Sequence, residues 1–317
     1  VHRTYVKYAE VGTFPQVKRH YQVTRCNQCD DAPCVEICPT GAMYRRRDGI
    51  VDFAKSICIG CKPCMAACPY DAIFINPEDP SAEKCNFCAH RIDMQLEPAC
   101  VVVCPTQAIL VGDMNDSDSY VAQIINRDTV AVRRPEKETL PKLFYKGAHQ
   151  ATLDPLAARR PEGGLFMWSE QQEGSGFVTS GNPNLNNSSA AALLSYDVAH
   201  SIPWDWRVSL YTWTKGIASG FYLVASLFVF LDWLTLGDGG KDAIWLWATP
   251  IISGAFLAIT GLLLLWDLEH PERFHLIFTR PQWRSWLVKG AFIIAGYTLE
   301  LVLHFIATRA GAIRGQL

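Results

Sequence analysis

Three long apolar runs dominate the C-terminal third of this chain, at residues 208–234, 243–266 and 285–308. The second run has no charged residue and exceeds the roughly 20 residues that an α-helix needs to cross a bilayer. Tryptophans lie near the ends of the runs, as membrane interfaces favour: Trp204, Trp206, Trp245, Trp247, Trp266, Trp283 and Trp286. The pattern predicts three transmembrane helices and disfavours the alternative, which is buried helices of a large soluble protein.

The N-terminal part has shorter and more mixed elements. Gly49–Phe53 alternates between apolar and polar residues enough to predict a strand. A short motif with alanine and an apolar residue follows each of three Cys-Pro pairs, at residues 40–43, 70–73 and 106–109. This recurrence indicates a duplicated unit that consists of a cysteine loop, a turn and a short strand.

Periodicity fades in the segment that joins these two parts. Its second half, at residues 162–191, is rich in glycine, serine and asparagine, which is typical of a linker or of a strap over a partner surface. Phe166, Met167 and Trp168 favour the strap, because large apolar side chains are costly in a free linker. The predicted divisions are a soluble domain at 1–114, an extended segment at 115–205 and a transmembrane domain at 206–317.

Composition adds two limits. The chain has 317 residues, a hydrophobic content of 49% and a net charge of -2, which gives no sign of nucleic-acid binding or disorder. It begins at Val1 rather than methionine, and no signal peptide precedes it. We therefore expect the N-terminus to be processed or truncated.

All 12 cysteines lie between residues 26 and 104, in three blocks that each close on Cys-Pro. The blocks are Cys26, Cys29, Cys34 and Cys38; Cys58, Cys61, Cys64 and Cys68; and Cys85, Cys88, Cys100 and Cys104. The middle block has the spacing C-x2-C-x2-C-x3-C-P, by which bacterial ferredoxins hold 4Fe-4S clusters, and the other two lengthen one spacer. Structural zinc usually takes separated pairs of ligands, and disulfides suit small scaffolds without a core. The spacing therefore predicts iron–sulfur clusters.

Charged residues at the membrane runs point to a second site. If the first run crosses the membrane away from the side that carries the cysteine domain, the second run crosses back. The loop at residues 267–284 then lies on the same membrane face as the clusters. The ionisable groups expected at this face are Lys215, Asp267, His270, Arg273 and Lys289.

Two further ionisable groups lie deeper in the third run. Glu300 and His304 share one stripe of a helix with Lys289. Ionisable groups in lipid are costly, so they are candidates for function. The alternative is that Lys289 reaches to the interface while Glu300 and His304 form a structural pair.

These residues carry a resemblance to two subunits of one respiratory family. Residues 1–145 resemble the iron–sulfur subunit of the dimethyl sulfoxide and polysulfide reductase family through Cys26–Asp30, Ala32–Cys34, Cys38–Ala42, Cys58–Lys62 and Pro98–Cys100. Residues from about 204 resemble the NrfD-like membrane anchor of polysulfide reductase through Gly216, Gly220, Asp267–Leu268 and Pro271–Phe274. The implied fold class is α+β, a ferredoxin-like domain with several clusters followed by a transmembrane α-helical domain.

The resemblance also implies a pairing of the blocks. Cys26, Cys29, Cys34 and Cys68 would hold one cluster, and Cys58, Cys61, Cys64 and Cys38 a second. The family has four blocks, so the third block either closes alone, which gives three clusters, or pairs with a block before Val1, which gives four. The anchor family has about eight or more helices. Missing segments at both ends would explain the two departures.

The implied function is electron transfer in a membrane-bound respiratory oxidoreductase. The clusters would connect a quinone in the membrane with a catalytic partner subunit, a molybdopterin enzyme by resemblance, and the chain itself would hold no catalytic centre for substrate. Lys215, Asp267, His270 and Arg273 are the candidates for binding quinone, and Glu300 and His304 those for relaying protons. The alternatives are a hydrogenase or multihaem cytochrome as partner, or a membrane-tethered redox sensor without quinone chemistry.

The expected location is the bacterial-type cytoplasmic membrane, where further membrane helices, lipid and quinone are the other partners. Nucleic acid is not expected as a partner. Arg273, Arg280 and Arg284 favour a cytoplasmic position of the clusters by the positive-inside rule. Arg309 and Arg314 weaken that argument, and the resemblance favours the opposite face.

Overall fold

The computed structural model describes residues 3–12, 14–160, 192–198, 203–236 and 244–313. The chain divides into two compact units. The first contains Val1–Glu36, Ala42–Lys55 and Pro63–Ser201, and the second contains Ile37–Gly41, Ser56–Lys62 and Ile202–Leu317. The predicted strap at 162–191 lies outside the described residues. The limits of the three divisions, at 1–114, 115–205 and 206–317, stay a prediction.

The longest strands of the first unit form one antiparallel sheet in the order β2-β1-β9. These strands are β1 at Tyr5–Val11, β2 at Lys18–Thr24 and β9 at Ala192–Tyr196. Ala9 and Val11 of β1 pack with Leu194 of β9 in a small buried core.

The first two blocks share one local design, as the duplicated motif predicts. A short helix carries a cysteine near its start, at α1 (Pro33–Ile37) and α2 (Pro63–Ala67). A short antiparallel hairpin follows each Cys-Pro turn. The hairpins are β3 at Met43–Arg45 with β4 at Val51–Phe53, and β5 at Phe74–Ile75 with β6 at Ala82–Glu83. The strand predicted from Gly49–Phe53 is confirmed as β4.

The third block departs from the predicted repeat. Two short helices accompany it, α3 at Ala89–Ile92 and α4 at Ala99–Val102. The short strand that the repeat predicts for the third block is wrong, because the described residues between Cys104 and α5 contain no strand. In the first two blocks a partner strand follows within a few residues, whereas here the helix α5 (Tyr120–Arg127) comes next.

The described part of residues 115–205 contains several short elements. After α5 come β7 at Val130–Ala131, β8 at Tyr145–Lys146 and α6 at Gln150–Leu153. β7 and β8 pair as an antiparallel hairpin.

Three long helices form most of the second unit. They are α7 at Trp206–Leu236, α8 at Thr249–Asp267 and α10 at Trp286–Ile313, with the short α9 at Leu276–Thr279 before α10. A π-helical turn at Ile244–Ala248 leads into α8. The three long helices are apolar and long enough to cross a membrane, which confirms the predicted transmembrane domain.

Contacts among these helices combine apolar packing with hydrogen bonds. Ala218, Leu257 and Leu301 form a buried cluster. The hydroxyls of Thr214 and Thr260 lie 2.8 Å apart between α7 and α8. Because a bilayer offers no water, such polar groups are satisfied between helices.

Candidate functional site

Four cysteines of the first unit line one cavity. Three come from the first block and the fourth, Cys68, closes the middle block. The cysteines are Cys26, Cys29, Cys34 and Cys68, and the remaining lining residues are Asn27, Ala32, Pro33, Val51, Pro69, Tyr70 and Ile73. This is the grouping that the resemblance implies for one cluster.

Local backbone geometry places these cysteines. Gln28 adopts a left-handed conformation with φ 48°, which turns the loop between Cys26 and Cys29. The Gln28 amide nitrogen donates to the Cys85 carbonyl at 2.9 Å, and its amide oxygen accepts from the Val51 backbone at 2.7 Å. The loop is therefore fixed both to β4 and to the third block.

The cavity is a poor place for an isolated thiolate. Burial raises the pKa of the Cys34 and Cys29 thiols, and it raises the pKa of Cys68 to about 11. Cluster ligands are thiolates, so binding of a cluster must release protons from these cysteines.

The polar groups of the cavity fit an iron–sulfur cluster better than a single ion. Among the described residues, no group of three or more His, Cys, Asp or Glu side chains is arranged to hold one metal ion. The Asn27 side chain is 1% exposed, and within the part of the chain that the structure describes neither polar atom of its amide has a partner at hydrogen-bond geometry. Buried amides are normally hydrogen-bonded. The sulfurs of a cluster would accept the bond that the Asn27 amide lacks.

The third block is more exposed than the first. Cys85, Cys88, Cys100 and Cys104 are all half-buried. Burial raises the pKa of Cys85, whereas hydrogen bonds from the backbone amides of Ile109 and Ala108 lower the pKa of Cys104. The guanidinium of Arg25 donates to the Cys100 sulfur at 3.4 Å. This block therefore has polar donors around its sulfurs.

Three other cysteines belong to the second unit together with the long helices. Cys38 lies in Ile37–Gly41, and Cys58 and Cys61 lie in Ser56–Lys62. The Thr40 hydroxyl donates to the Ile57 carbonyl at 2.8 Å and so joins the two segments.

The loop between α8 and α10 holds these segments through hydrogen bonds. The Arg273 guanidinium donates to the Cys58 carbonyl at 3.0 Å, and the His270 backbone donates to the Ile59 carbonyl at 3.2 Å. The Ser285 hydroxyl donates to the Ile37 carbonyl at 2.7 Å. Ile59 also packs against Ile277 and Val288. The predicted neighbourhood of this loop and the cysteine segments is thus present within one unit.

Asp267 ends α8 inside a group of charges. Its side chain is about one-tenth exposed, 3.9 Å from the Lys62 ammonium and 3.8 Å from the Arg207 guanidinium. Lys62 also pairs with Glu269 at 2.8 Å. Within the described structure, Oδ1 of Asp267 has no hydrogen-bond partner. Sequence reasoning missed Lys62 in this group, although it directly follows Cys61.

The other predicted residues have varied surroundings. The imidazole of His270 lies 3.1 Å from a Glu272 carboxylate oxygen. Lys215 lies on α7 with its side chain exposed. On α10, Glu300 is exposed, whereas His304 packs 4.6 Å from the Trp245 ring and lies 3.4 Å from the Tyr222 hydroxyl.

Two protein families match separate parts of the chain. Residues 17–114 match the family described as a 4Fe-4S dicluster domain, and this range includes all 12 cysteines. Residues 195–315 match the family described as polysulphide reductase, NrfD, and this range includes the three long helices. The predictions of iron–sulfur clusters, of an α+β cluster domain and of a membrane domain are confirmed.

Three similar proteins are subunits of reductases. The B subunit of tetrathionate reductase from Salmonella typhimurium is 40% identical over 175 residues, which cover 50% of this chain and 69% of that protein. A putative dimethyl sulfoxide reductase iron-sulfur subunit of Halobacterium salinarum is 37% identical over 175 residues, which cover 50% of this chain and 67% of that protein. The B polypeptide of polysulfide reductase from Wolinella succinogenes is 42% identical over 126 residues, which cover 39% of this chain and 66% of that protein.

Proposed function

Because this chain belongs to the family of iron–sulfur subunits of tetrathionate, dimethyl sulfoxide and polysulfide reductases, fused to an NrfD membrane domain, we propose that it connects a quinone with a catalytic subunit. It is an electron-transfer subunit and an integral protein of the cytoplasmic membrane. The proposal concerns the two ends of its electron path and the residues that serve them.

The cysteines hold the clusters in the grouping described above. When bound, a 4Fe-4S cluster takes up and releases electrons at a potential that the surrounding protein sets. Cys26, Cys29, Cys34 and Cys68 hold one cluster, and the shared cavity supports this assignment. Cys38, Cys58, Cys61 and Cys64 hold a second. Cys85, Cys88, Cys100 and Cys104 provide ligands for a third, either alone or with a further segment as partner in a fourth.

A quinone binds at the end of α8, and Asp267 carries this proposal. Among the described residues, its buried Oδ1 accepts no hydrogen bond, although Lys62 and Arg207 lie 3.9 Å and 3.8 Å away. A buried acceptor without a hydrogen bond costs about 1–3 kcal/mol. A quinol hydroxyl supplies the missing donor. Oxidation of a quinol to a quinone releases two electrons, which pass one at a time to the clusters, and two protons. The Asp267 carboxylate takes up one proton, and water takes up the other.

The loop after α8 ties this site to a cluster. His270 and Arg273 hydrogen-bond to the carbonyls of Ile59 and Cys58, so a quinone at Asp267 lies close to the segment with two cluster ligands. Lys215 on α7 is the further candidate for a contact with the quinone oxygen. Glu300 and His304 are candidates for moving protons, since ionisable groups in a membrane helix usually serve function.

The catalytic partner is a separate reductase subunit, with further membrane helices completing the anchor. The names of the similar proteins support a reductase, and the family resemblance favours a molybdopterin enzyme over a hydrogenase or a multihaem cytochrome.

The test is quinol-dependent reduction of the clusters in the purified membrane complex. Asp267→Asn should lower the rate about tenfold or more, which corresponds to loss of about 1.5 kcal/mol from a bond to a charged group. Dithionite should still reduce all clusters, and the iron content should be unchanged. Asp232→Asn on α7 is the matched control and should reduce at the normal rate.

Two results would contradict the proposal. A normal rate for Asp267→Asn would remove Asp267 from the quinone site. Absence of quinol-dependent reduction in the unmodified complex would favour the membrane-tethered redox sensor instead.

A further inference from the structure

Lys84 is a fully buried cation in the first unit. Its side chain is 0% exposed, at the end of the hairpin that β6 completes. Among the residues that the structure describes, no carboxylate pairs with it. The preceding Glu83 turns to Arg3 and Lys55 instead.

The Lys84 ammonium bonds to backbone carbonyls of two different cysteine groups. One acceptor is the backbone carbonyl of Val51. Val51 also lines the cavity of Cys26, Cys29, Cys34 and Cys68. The other is the carbonyl of Cys85, the first cysteine of the third block, at 3.4 Å. The ammonium therefore lies between two proposed cluster positions of the same unit.

A buried ammonium without a carboxylate needs another source of negative charge. Clusters ligated by thiolates carry such a charge on both sides of Lys84.

We propose that Lys84 is an electrostatic positioning residue shared by the clusters of the first and third blocks, and that its charge raises both reduction potentials. Reduction adds negative charge to a cluster, and a fixed positive charge nearby stabilises the reduced form. The inference rests on the cluster assignment of the proposed function but not on its quinone site.

The experiment is a redox titration of the purified full-length complex with dye mediators, followed by electron paramagnetic resonance. Lys84→Gln removes the charge and keeps a donor for the carbonyls, so two midpoint potentials should fall while the others stay. Lys84→Arg keeps the charge and should leave both near the normal values. Lys55→Gln removes a half-exposed cation close by in the fold and should shift neither.

Two cysteine variants assign the electron paramagnetic resonance signals to individual clusters. Cys34→Ser should change the signal of the first block, and Cys88→Ser that of the third. If Lys84→Gln retains its iron and shifts one potential or none, the shared role is overturned. Loss of iron from Lys84→Gln but not from Lys84→Arg supports a charge requirement, whereas loss from both overturns it.

The quinone proposal has a separate outcome, because dye mediators bypass the membrane site. An unchanged set of signals in Cys34→Ser would overturn the cluster assignment, and the inference about Lys84 with it. A changed signal in Cys34→Ser with unshifted potentials in Lys84→Gln would overturn the inference alone.

Discussion

Single residues around the cysteine blocks provide charge and hydrogen bonds that the cysteines themselves lack. Asn27 has a buried amide that makes no hydrogen bond to the described residues, and Lys84 has a buried ammonium. Both side chains are buried within the first unit. We therefore expect the reduction potential of a cluster to depend on a few buried side chains. The effect of replacing each of them can be measured separately.

Glu83 gives this region a predicted pH dependence. Burial of Glu83 opposes ionisation, but hydrogen bonds from Lys55, Asn76 and Arg3 lower the pKa of its carboxyl overall. The stabilisation is therefore fully present above the unfolded pKa of about 4.5 and is lost as the pH falls through the lower folded value. Glu83→Gln should cost about 1 kcal/mol at pH 7, since the partners are partly exposed.

Loss of cluster absorbance on heating measures this effect. The midpoint temperature of Glu83→Gln should lie below that of the unmodified protein at pH 7, and the two should converge as the pH falls below the folded pKa. Glu78→Gln, at an exposed carboxylate in the same hairpin, should behave normally. A constant difference at every pH would show that Glu83 acts through packing.

Whether the sequence predicts the role of a residue depends on how far along the chain its contact partners lie. Cysteine spacing predicts the cluster chemistry, because most ligands of a block lie within a few residues of one another. Lys84 and Lys62 stand next to Cys85 and Cys61 in the chain, but their contacts include Val51 and Asp267, which are remote in the sequence. The local pattern therefore contains the two lysines without showing these contacts.

At the scale of elements, one hydrogen bond between α7 and α8 can be tested directly. Thr214 and Thr260 are both buried, and their hydroxyls are 2.8 Å apart. A double-mutant cycle with Thr214→Val and Thr260→Val should give a coupling energy of about 0.6 kcal/mol, as is typical between membrane helices.

The measurement is unfolding of the protein in mixed micelles. Thr212 is the control on α7, because its hydroxyl bonds to the carbonyls of Val208 and Ser209 in its own helix. A cycle of Thr212→Val with Thr260→Val should give no coupling. Equal coupling in the two cycles would contradict a specific bond between the helices.

The elements also show why some local predictions succeed and others fail. The membrane helices follow from long apolar runs, which need no partner to be recognised. The alternation in Gly49–Phe53 predicts β4 correctly, and β3 lies a few residues before it as a partner. The described residues that follow Cys104 contain no strand before α5, so the repeated motif alone does not predict one there.

At the scale of the whole molecule, the clusters and the folding of the first unit are linked. Buried thiols, those of Cys29 and Cys34, line the cavity of this unit. Metal that binds only the folded state stabilises that state. Removal of iron should therefore increase amide hydrogen exchange between residues 26 and 104, while the centres of α7, α8 and α10 stay protected. Equal protection with and without iron would contradict this link.

The segments Ile37–Gly41 and Ser56–Lys62 belong with the helices, although they lie within the cysteine series of the chain. A cut near residue 205 would therefore not produce two self-sufficient pieces. The N-terminal piece would keep Ile59 but lose Ile277 and Val288, which cover it. For protein engineering, the soluble part is not a removable module, and its expression alone would expose an apolar surface next to two of its cysteines.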